Sequence, residues 1–168
     1  MVETEALLTT RILSDTASTN YWILTRQTAG LTHADSLLQL PFRGNCLNWV
    51  IGHILSRRNE MLELVGAETV GTEVQRARYN TGSEPITRHE DALSFEQILA
   101  DLATAQERLI AGLELMTPDD LNAPVTTIQK DPPPTVEERL RGLLWHETYH
   151  VGQTEILRQL AGTNDKVI

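Results

Sequence analysis

The sequence predicts an all-α protein, a four-helix bundle in which a long crossover joins the second and third helices. Four stretches carry apolar residues at helical spacing, and no stretch shows the alternation of a strand. Aromatic residues make up only 5% of the chain, whereas Leu, Ala, Glu, Gln and Arg are plentiful, a mixture that favours helix over sheet. The length of 168 residues suits one domain, which we expect to span residues 1–168.

The first predicted helix covers about residues 4–28, and Gly30 is placed to end it as a C-cap residue. Residues 31–44 contain Pro41 and Gly44 and therefore form a connector, with one helical turn at residues 34–38. The second helix begins near Asn45, a good N-cap residue, and an apolar stripe continues until Gly66 ends it.

The crossover is predicted at residues 67–93, which contain glycines and a proline and little helix of their own. A connection of this length can cross the whole bundle, so the second and third helices could lie parallel. Its part at residues 79–86 could border a pocket. The third helix begins with a capping box at Ser94 and Gln97, and the fourth with a capping box at Thr135 and Glu138.

Composition and charge exclude several classes of function. The net charge of −9 opposes general binding to the phosphates of nucleic acids. The chain contains no apolar run long enough to span a bilayer, and its acidic beginning does not match a signal peptide. The only cysteine, Cys46, cannot form an internal disulfide. We therefore expect a soluble protein of the reducing cytoplasm that binds neither nucleic acid nor membrane.

The predicted fourth helix places two histidines on its buried face. An apolar heptad pattern runs through Val136, Leu143 and Leu157, and His150 takes a place where the pattern requires an aliphatic residue. His146 lies one turn earlier on the same face, because residues four apart are stacked neighbours on a helix. Two imidazoles at this spacing can bind one metal ion.

His53, at the edge of the apolar stripe of the second helix, is the candidate third ligand. His33 and His89 fall in connectors and are predicted to be solvated. Three histidines leave a coordination position open for water or substrate, as in catalytic sites. Neutral imidazole binds Zn, Ni, Fe or Cu and does not select among them. The alternative is that these histidines are hydrogen-bonded core residues, and the residues alone leave both interpretations open.

Glu147 is a candidate catalytic residue, because the segment from His146 to His150 matches His-Glu-x-x-His. In metal-assisted hydrolysis such a carboxylate is the general base. Glu147 is displaced about 100° around the helix from His146, however. A surface carboxylate, or a hydrogen-bond acceptor for a histidine, is therefore an equally good interpretation. Arg57 and Arg58 could attract an anionic substrate, or they could be ordinary exposed arginines of a helix. The three tryptophans are predicted to be core or interface anchors: Trp22, Trp49 and Trp145.

Two segments resemble motifs of the DinB/YfiT-like superfamily of metal-dependent proteins. Residues 45–54 read NCLNWVIGHI, similar to the Asn-x-x-x-Trp-x-x-Gly-His motif of that family, and residues 144–153 read LWHETYHVGQ, similar to its final-helix motif. The resemblance implies a four-helix bundle that often dimerises and a divalent ion, usually zinc or nickel, held by His53, His146 and His150. It also implies thiol-dependent S-transferase or isomerase activity in some members, whereas others have no known activity.

Three functions follow as hypotheses. In the first, the ion binds a low-molecular-weight thiol, which attacks a small electrophilic substrate. In the second, the ion activates water for hydrolysis, with Glu147 as the base. In the third, the protein is a non-catalytic, stress-related metal-binding protein in which the ion only joins two helices.

Overall fold

The computed structural model describes residues 2–163, so the predicted domain extends beyond the described residues at both ends. Four long helices form the bundle: α1 (Val2–Thr28), α3 (Leu47–Leu64), α5 (Phe95–Leu115) and α7 (Val136–Leu160). Three short helices lie in the connections: α2 (His33–Ser36), α4 (Glu73–Arg78) and α6 (Pro118–Asn122). A 3-10 turn covers His89–Asp91. The described residues contain no strand, which confirms the predicted all-α class.

The long helices are arranged so that each packs against two others. Helices α1 and α3 both contact α5 and α7, and they lie diagonally across the bundle. Asn48 at the start of α3 bonds to Leu93 just before α5, and Val65 after α3 lies against Gly112 late in α5. Helices α3 and α5 are therefore parallel, as the crossover hypothesis predicted.

The crossover is held down by side chains that enter the core. Val70, Tyr79 and Ile86 are all buried, although the segment carries no periodic apolar pattern. Tyr79 packs so closely on α3 that a Cβ atom added at Gly52 would lie 2.2 Å from its ring. The Tyr79 hydroxyl donates to Asn48 Oδ1 at 2.8 Å and accepts from the Leu93 N–H at 2.8 Å. Glycine at position 52 is thus required for this close approach.

Helix starts largely follow the capping predictions. Thr135 and Glu138 form the predicted capping box of α7. At α5, Ser94 accepts from the Gln97 N–H, but the Gln97 side chain bonds to Asp101 instead of closing the box. Helix α3 starts two residues later than predicted, with Cys46 at the N-cap position.

A buried polar cluster joins all four long helices. Arg58 of α3 is fully buried, so of the two interpretations the one as an ordinary exposed arginine was wrong. Its guanidinium donates two hydrogen bonds of 2.8 Å to the carboxylate of Glu147 on α7. It also donates to the Ala17 carbonyl of α1 at 3.1 Å and to the Gln106 side chain of α5. Paired in this way, the buried charges are compatible with a folded bundle interior.

Other surface predictions were only partly correct. Trp49 is buried, whereas Trp145 is 71% exposed and Trp22 is also exposed. No helix within residues 2–163 combines the length and apolar character needed to cross a membrane.

Candidate metal centre

The structure brings the three predicted histidines together between α3 and α7. His53 lies near the middle of α3, and His146 and His150 lie one turn apart on α7. Their candidate ligand atoms all lie within 4.8 Å of one another. The Nε2 atoms of His146 and His150 are 3.1 Å apart. Two ligands of a tetrahedral zinc ion with bonds of about 2.0–2.1 Å would be about 3.3 Å apart, so this pair is already close to ligand spacing.

Hydrogen bonds at the far side of two rings determine which nitrogen is free. His53 Nδ1 lies 2.7 Å from the Tyr79 carbonyl oxygen, which can only accept, so Nδ1 carries the hydrogen. His150 Nδ1 lies 2.8 Å from Gln153 Oε1 and donates in the same way. Neutral rings in these tautomers present an Nε2 lone pair toward the other histidines. This is the arrangement that outer hydrogen bonds impose on metal-binding histidines.

His146 lacks such an outer partner. Its Nδ1 atom is buried and makes no hydrogen bond to the described part of the protein. Its Nε2 faces His150 Nε2, whose lone pair is available. A cation at the common point of the three Nε2 atoms would receive all of these lone pairs, so the donor set fits a divalent metal ion.

The local environment keeps the imidazoles neutral. Burial lowers the pKa of His53 to about 4, against a weaker opposing contribution from its bond to Tyr79. Burial also lowers the pKa of His146, and the positive charges of His150, Arg57 and Arg139 add to that effect. The pKa of His150 is lowered by burial as well. At neutral pH all three rings are therefore in the unprotonated form that binds metals.

The histidines lie in a cleft with a volume of about 420 Å³. Trp49 stacks on the His53 ring with 4.8 Å between centroids and donates from Nε1 to Ser83 Oγ. Thr81 and Gly82 of the crossover line the cleft, as we expected for part of residues 79–86. Tyr149 and Gln153 also line it. The volume suits a small-molecule ligand.

Glu147 is placed away from this cleft. Its side chain is fully buried, and both carboxylate oxygens accept hydrogen bonds from Arg58. It is not among the residues that line the cleft. Consecutive residues on a helix point about 100° apart, and here His146 faces the cleft while Glu147 faces the bundle centre. Glu147 is therefore paired with Arg58 and lies outside the cleft that contains the histidines.

Two functional contacts were not predicted from the sequence. The Tyr79 carbonyl orients His53 from 26 residues away, and the only signal was the adjacent Gly52, which allows Tyr79 to approach. Arg43 lines the cleft, but nothing in the sequence distinguishes it from other arginines of connectors. Asn20 of α1 bonds to Thr148 of α7 and is not among the residues that line the cleft. Cys46 is buried, and burial raises the pKa of its thiol.

Comparison with known proteins supports the family that the motifs indicated. The sequence profile of the DinB superfamily matches residues 23–154. A similar solved structure is that of a conserved protein from Enterococcus faecalis, with a TM-score of 0.69 and 18% identity over 92% of this chain and 98% of the other. At that identity the likeness establishes a shared fold. No curated protein matches the chain.

Proposed function

The chain belongs to the DinB superfamily, and from that premise we propose that it is a divalent-metal-dependent S-transferase that joins a low-molecular-weight thiol to a small electrophile. The observation that carries the proposal is the convergence of His53, His146 and His150 in the lining of a cleft whose volume suits a small molecule. Zinc or nickel is the proposed ion, since both bind neutral imidazole. When bound, the ion supplies a positive charge that stabilises a thiolate at neutral pH.

The residues of the chain divide the remaining tasks. His53, His146 and His150 hold the ion, and Tyr79 and Gln153 fix the tautomers of two of these rings. The thiol loses its S–H proton to solvent through the open cleft. The sulfur electron pair then forms a bond to the electrophilic carbon, and the leaving group departs with the electron pair of the broken bond. Apolar side chains around the cleft limit the access of water to the reacting atoms.

Transfer to a thiol is favoured over hydrolysis by the position of Glu147. Metal-assisted hydrolysis of the kind suggested by His-Glu-x-x-His requires a carboxylate that can take a proton from water. Glu147 is held by Arg58, and no Asp or Glu of the described part of the chain lines the cleft. A thiol needs no such base, since its ordinary pKa of about 8.5 is already near neutrality.

The test combines metal analysis with a thiol-conjugation assay. Wild-type protein should contain about one divalent ion per chain, and His53→Ala should contain almost none. Exposed His89 supplies the control, because His89→Ala should keep the ion. Metal-loaded wild type should conjugate a thiol to a chlorinated aromatic acceptor, and His150→Ala should not. Equal turnover by both proteins would exclude the proposed reaction.

A non-catalytic role is the second candidate, because an ion at this place would join α3 to α7. Under that alternative, removing the metal lowers the melting temperature while no thiol conjugation is found in any metal-loaded form. The two candidates are therefore distinguished by one set of preparations.

We further propose that the protein forms a homodimer through the exposed sides of α1 and α7. Large apolar side chains are exposed on both helices: Leu8 and Ile12 of α1 and Trp145 of α7. Exposed apolar surface of this kind is typical of interaction sites. Light scattering should give twice the monomer mass, and Trp145→Glu should reduce it. The reducing cytoplasm stays the predicted compartment, because the single thiol is unpaired.

A further inference from the structure

We propose that the cleft selects a reactant that carries a carboxylate on an otherwise apolar body, and that Arg43 receives this carboxylate. The inference rests on the proposed function, in which a thiol and an electrophile meet at the three histidines. It adds the chemical class of a reactant and the residue that recognises it.

The charge of the cleft is opposite to that of the protein. The chain has 23 acidic and 14 basic residues and a net charge of −9. Within residues 2–163 no Asp or Glu lines the cleft, and apart from the histidines Arg43 is its one charged lining residue. In a protein this acidic, an anion is repelled less by such a cleft than by most of the surface.

The ligand set increases this preference. Three neutral imidazoles leave the charge of a divalent ion uncompensated by the protein. The adjacent carboxylate, Glu147, is neutralised by Arg58. Next to the histidines, Arg57 and Arg139 share a single carboxylate, that of Glu60, so that cluster has a net positive charge. The cleft should therefore attract a second anion in addition to the thiolate bound at the ion.

Arg43 is available for such an anion. Its side chain is exposed and makes no hydrogen bond or ion pair within residues 2–163. A guanidinium can bind a carboxylate through two parallel hydrogen bonds. Because the group has no internal partner, binding an anion breaks no contact of the protein.

The rest of the cleft selects an apolar body. The side chains around Arg43 that contribute to the lining are mainly aliphatic and aromatic: Leu40, Phe42, Trp49, Val50, Ile156 and Leu157. A volume of about 420 Å³ is at the small end of the range for small-molecule sites. A small aromatic or branched carboxylic acid combines the two properties.

The carboxylate could belong to the thiol or to the electrophile, and two binding assays distinguish these sources. In the first, protein loaded with Co²⁺ is titrated with 3-mercaptopropionate and 6-mercaptohexanoate and with their methyl esters, and the absorption of the cobalt–thiolate bond reports binding. In the second, protein loaded with Zn²⁺ is titrated calorimetrically with 2-naphthoate and with 2-naphthamide. Each assay uses wild type, Arg43→Gln, Arg43→Lys and the control Arg141→Gln, which removes an exposed arginine of α7 outside the cleft.

Wild type should bind the acid about tenfold more tightly than its neutral counterpart in at least one assay, equivalent to about 1.4 kcal/mol. Arg43→Gln should lose most of that preference, Arg43→Lys should keep more of it than Arg43→Gln does, and Arg141→Gln should keep all of it. The assay in which Arg43→Gln loses most of the preference identifies the reactant that carries the carboxylate. Circular dichroism should show that Arg43→Gln is folded, because the side chain has no internal partner.

The inference fails if wild type shows no preference for the acid in either assay, or if Arg43→Gln retains the preference. Failure of the proposed function looks different. In that case no thiol, charged or neutral, produces cobalt–thiolate absorption, while the naphthoate assay still measures the contribution of Arg43.

Discussion

Replacing Glu147 by Gln should destabilise the protein strongly and leave its metal affinity nearly unchanged. The change removes the negative charge opposite Arg58, a fully buried guanidinium that now donates two hydrogen bonds of 2.8 Å to this carboxylate. An amide can accept only through its oxygen, and its NH₂ group would face a guanidinium N–H. Arg58 would then rely on the neutral Ala17 carbonyl and Gln106 side chain.

The magnitude follows from burial. Removing one partner of a buried ion pair costs about 3–5 kcal/mol, because the other charge stays buried without compensation. Domains have total stabilities of about 5–15 kcal/mol, so the loss is a large fraction of the total. For a chain of this length it corresponds to a decrease in melting temperature of roughly 6–20 °C. Metal affinity should change little, because Glu147 makes no hydrogen bond to the three histidines.

The assay is urea unfolding of metal-free protein followed by circular dichroism, together with metal titration of the folded variants. Exposed Glu155 on the same helix provides the control, since Glu155→Gln should cost less than about 0.5 kcal/mol. The double variant Arg58→Met/Glu147→Leu should recover much of the loss, because no charge remains buried. A loss below 1 kcal/mol in Glu147→Gln would refute the reasoning. A collapse of metal affinity in well-folded Glu147→Gln would show that the carboxylate acts on the metal centre.

Three further predictions concern the surroundings of the site. Metal-free protein should lose about 2 kcal/mol of stability between pH 7.5 and pH 5, because His53 takes up a proton near pH 6.5 in the unfolded chain but only near pH 4 in the folded one. Urea midpoints measure this loss, and His53→Gln should reduce it. Gly52→Ala should destabilise the protein by about 1–3 kcal/mol and weaken metal binding, because the added Cβ would displace Tyr79. The control Gly152→Ala should be neutral or stabilising, because no atom lies within 4 Å of its added Cβ. Equal effects of the two variants in unfolding and metal titrations would contradict this prediction. Cys46 should react with Ellman's reagent only in urea, since burial raises its thiol pKa and denies access; rapid reaction of the native protein would disagree.

Two of the histidines could be predicted because His150 interrupts an apolar pattern and His146 lies one turn away from it. His150 occupies a heptad position otherwise filled by Leu143 and Leu157, and the spacing to His146 places both on one helix face. His53 was predicted from its place at the edge of the apolar stripe of the second helix, and the family motif at residues 45–54 indicated the same residue. Local spacing and a recognisable motif therefore sufficed to predict which histidines meet, although the bound ion itself stays a prediction.

Contacts between side chains of different helices could not be predicted from spacing or motifs. Arg57 and Arg58 are neighbours in the chain, yet one lies near the surface and the other is fully buried. Only the partner Glu147, 89 residues away, explains the burial of Arg58. Apolar periodicity carries no information about a charged residue whose partner lies on another helix. The buried residues of the crossover were missed for a related reason, since single side chains such as Tyr79 enter the core without any repeat.

The group that orients His53 belongs to the peptide backbone of the crossover and not to a side chain. Substituting the phenol of Tyr79 cannot delete that oxygen; only a change in the path of the main chain can move it. Cutting the exposed turn at residues 81–82 would separate the anchor at Tyr79 from the anchor at Ile86 while leaving every ligand residue intact. A cut in a connection that contributes no metal ligand would thus loosen the orientation of the His53 ring and should weaken metal binding.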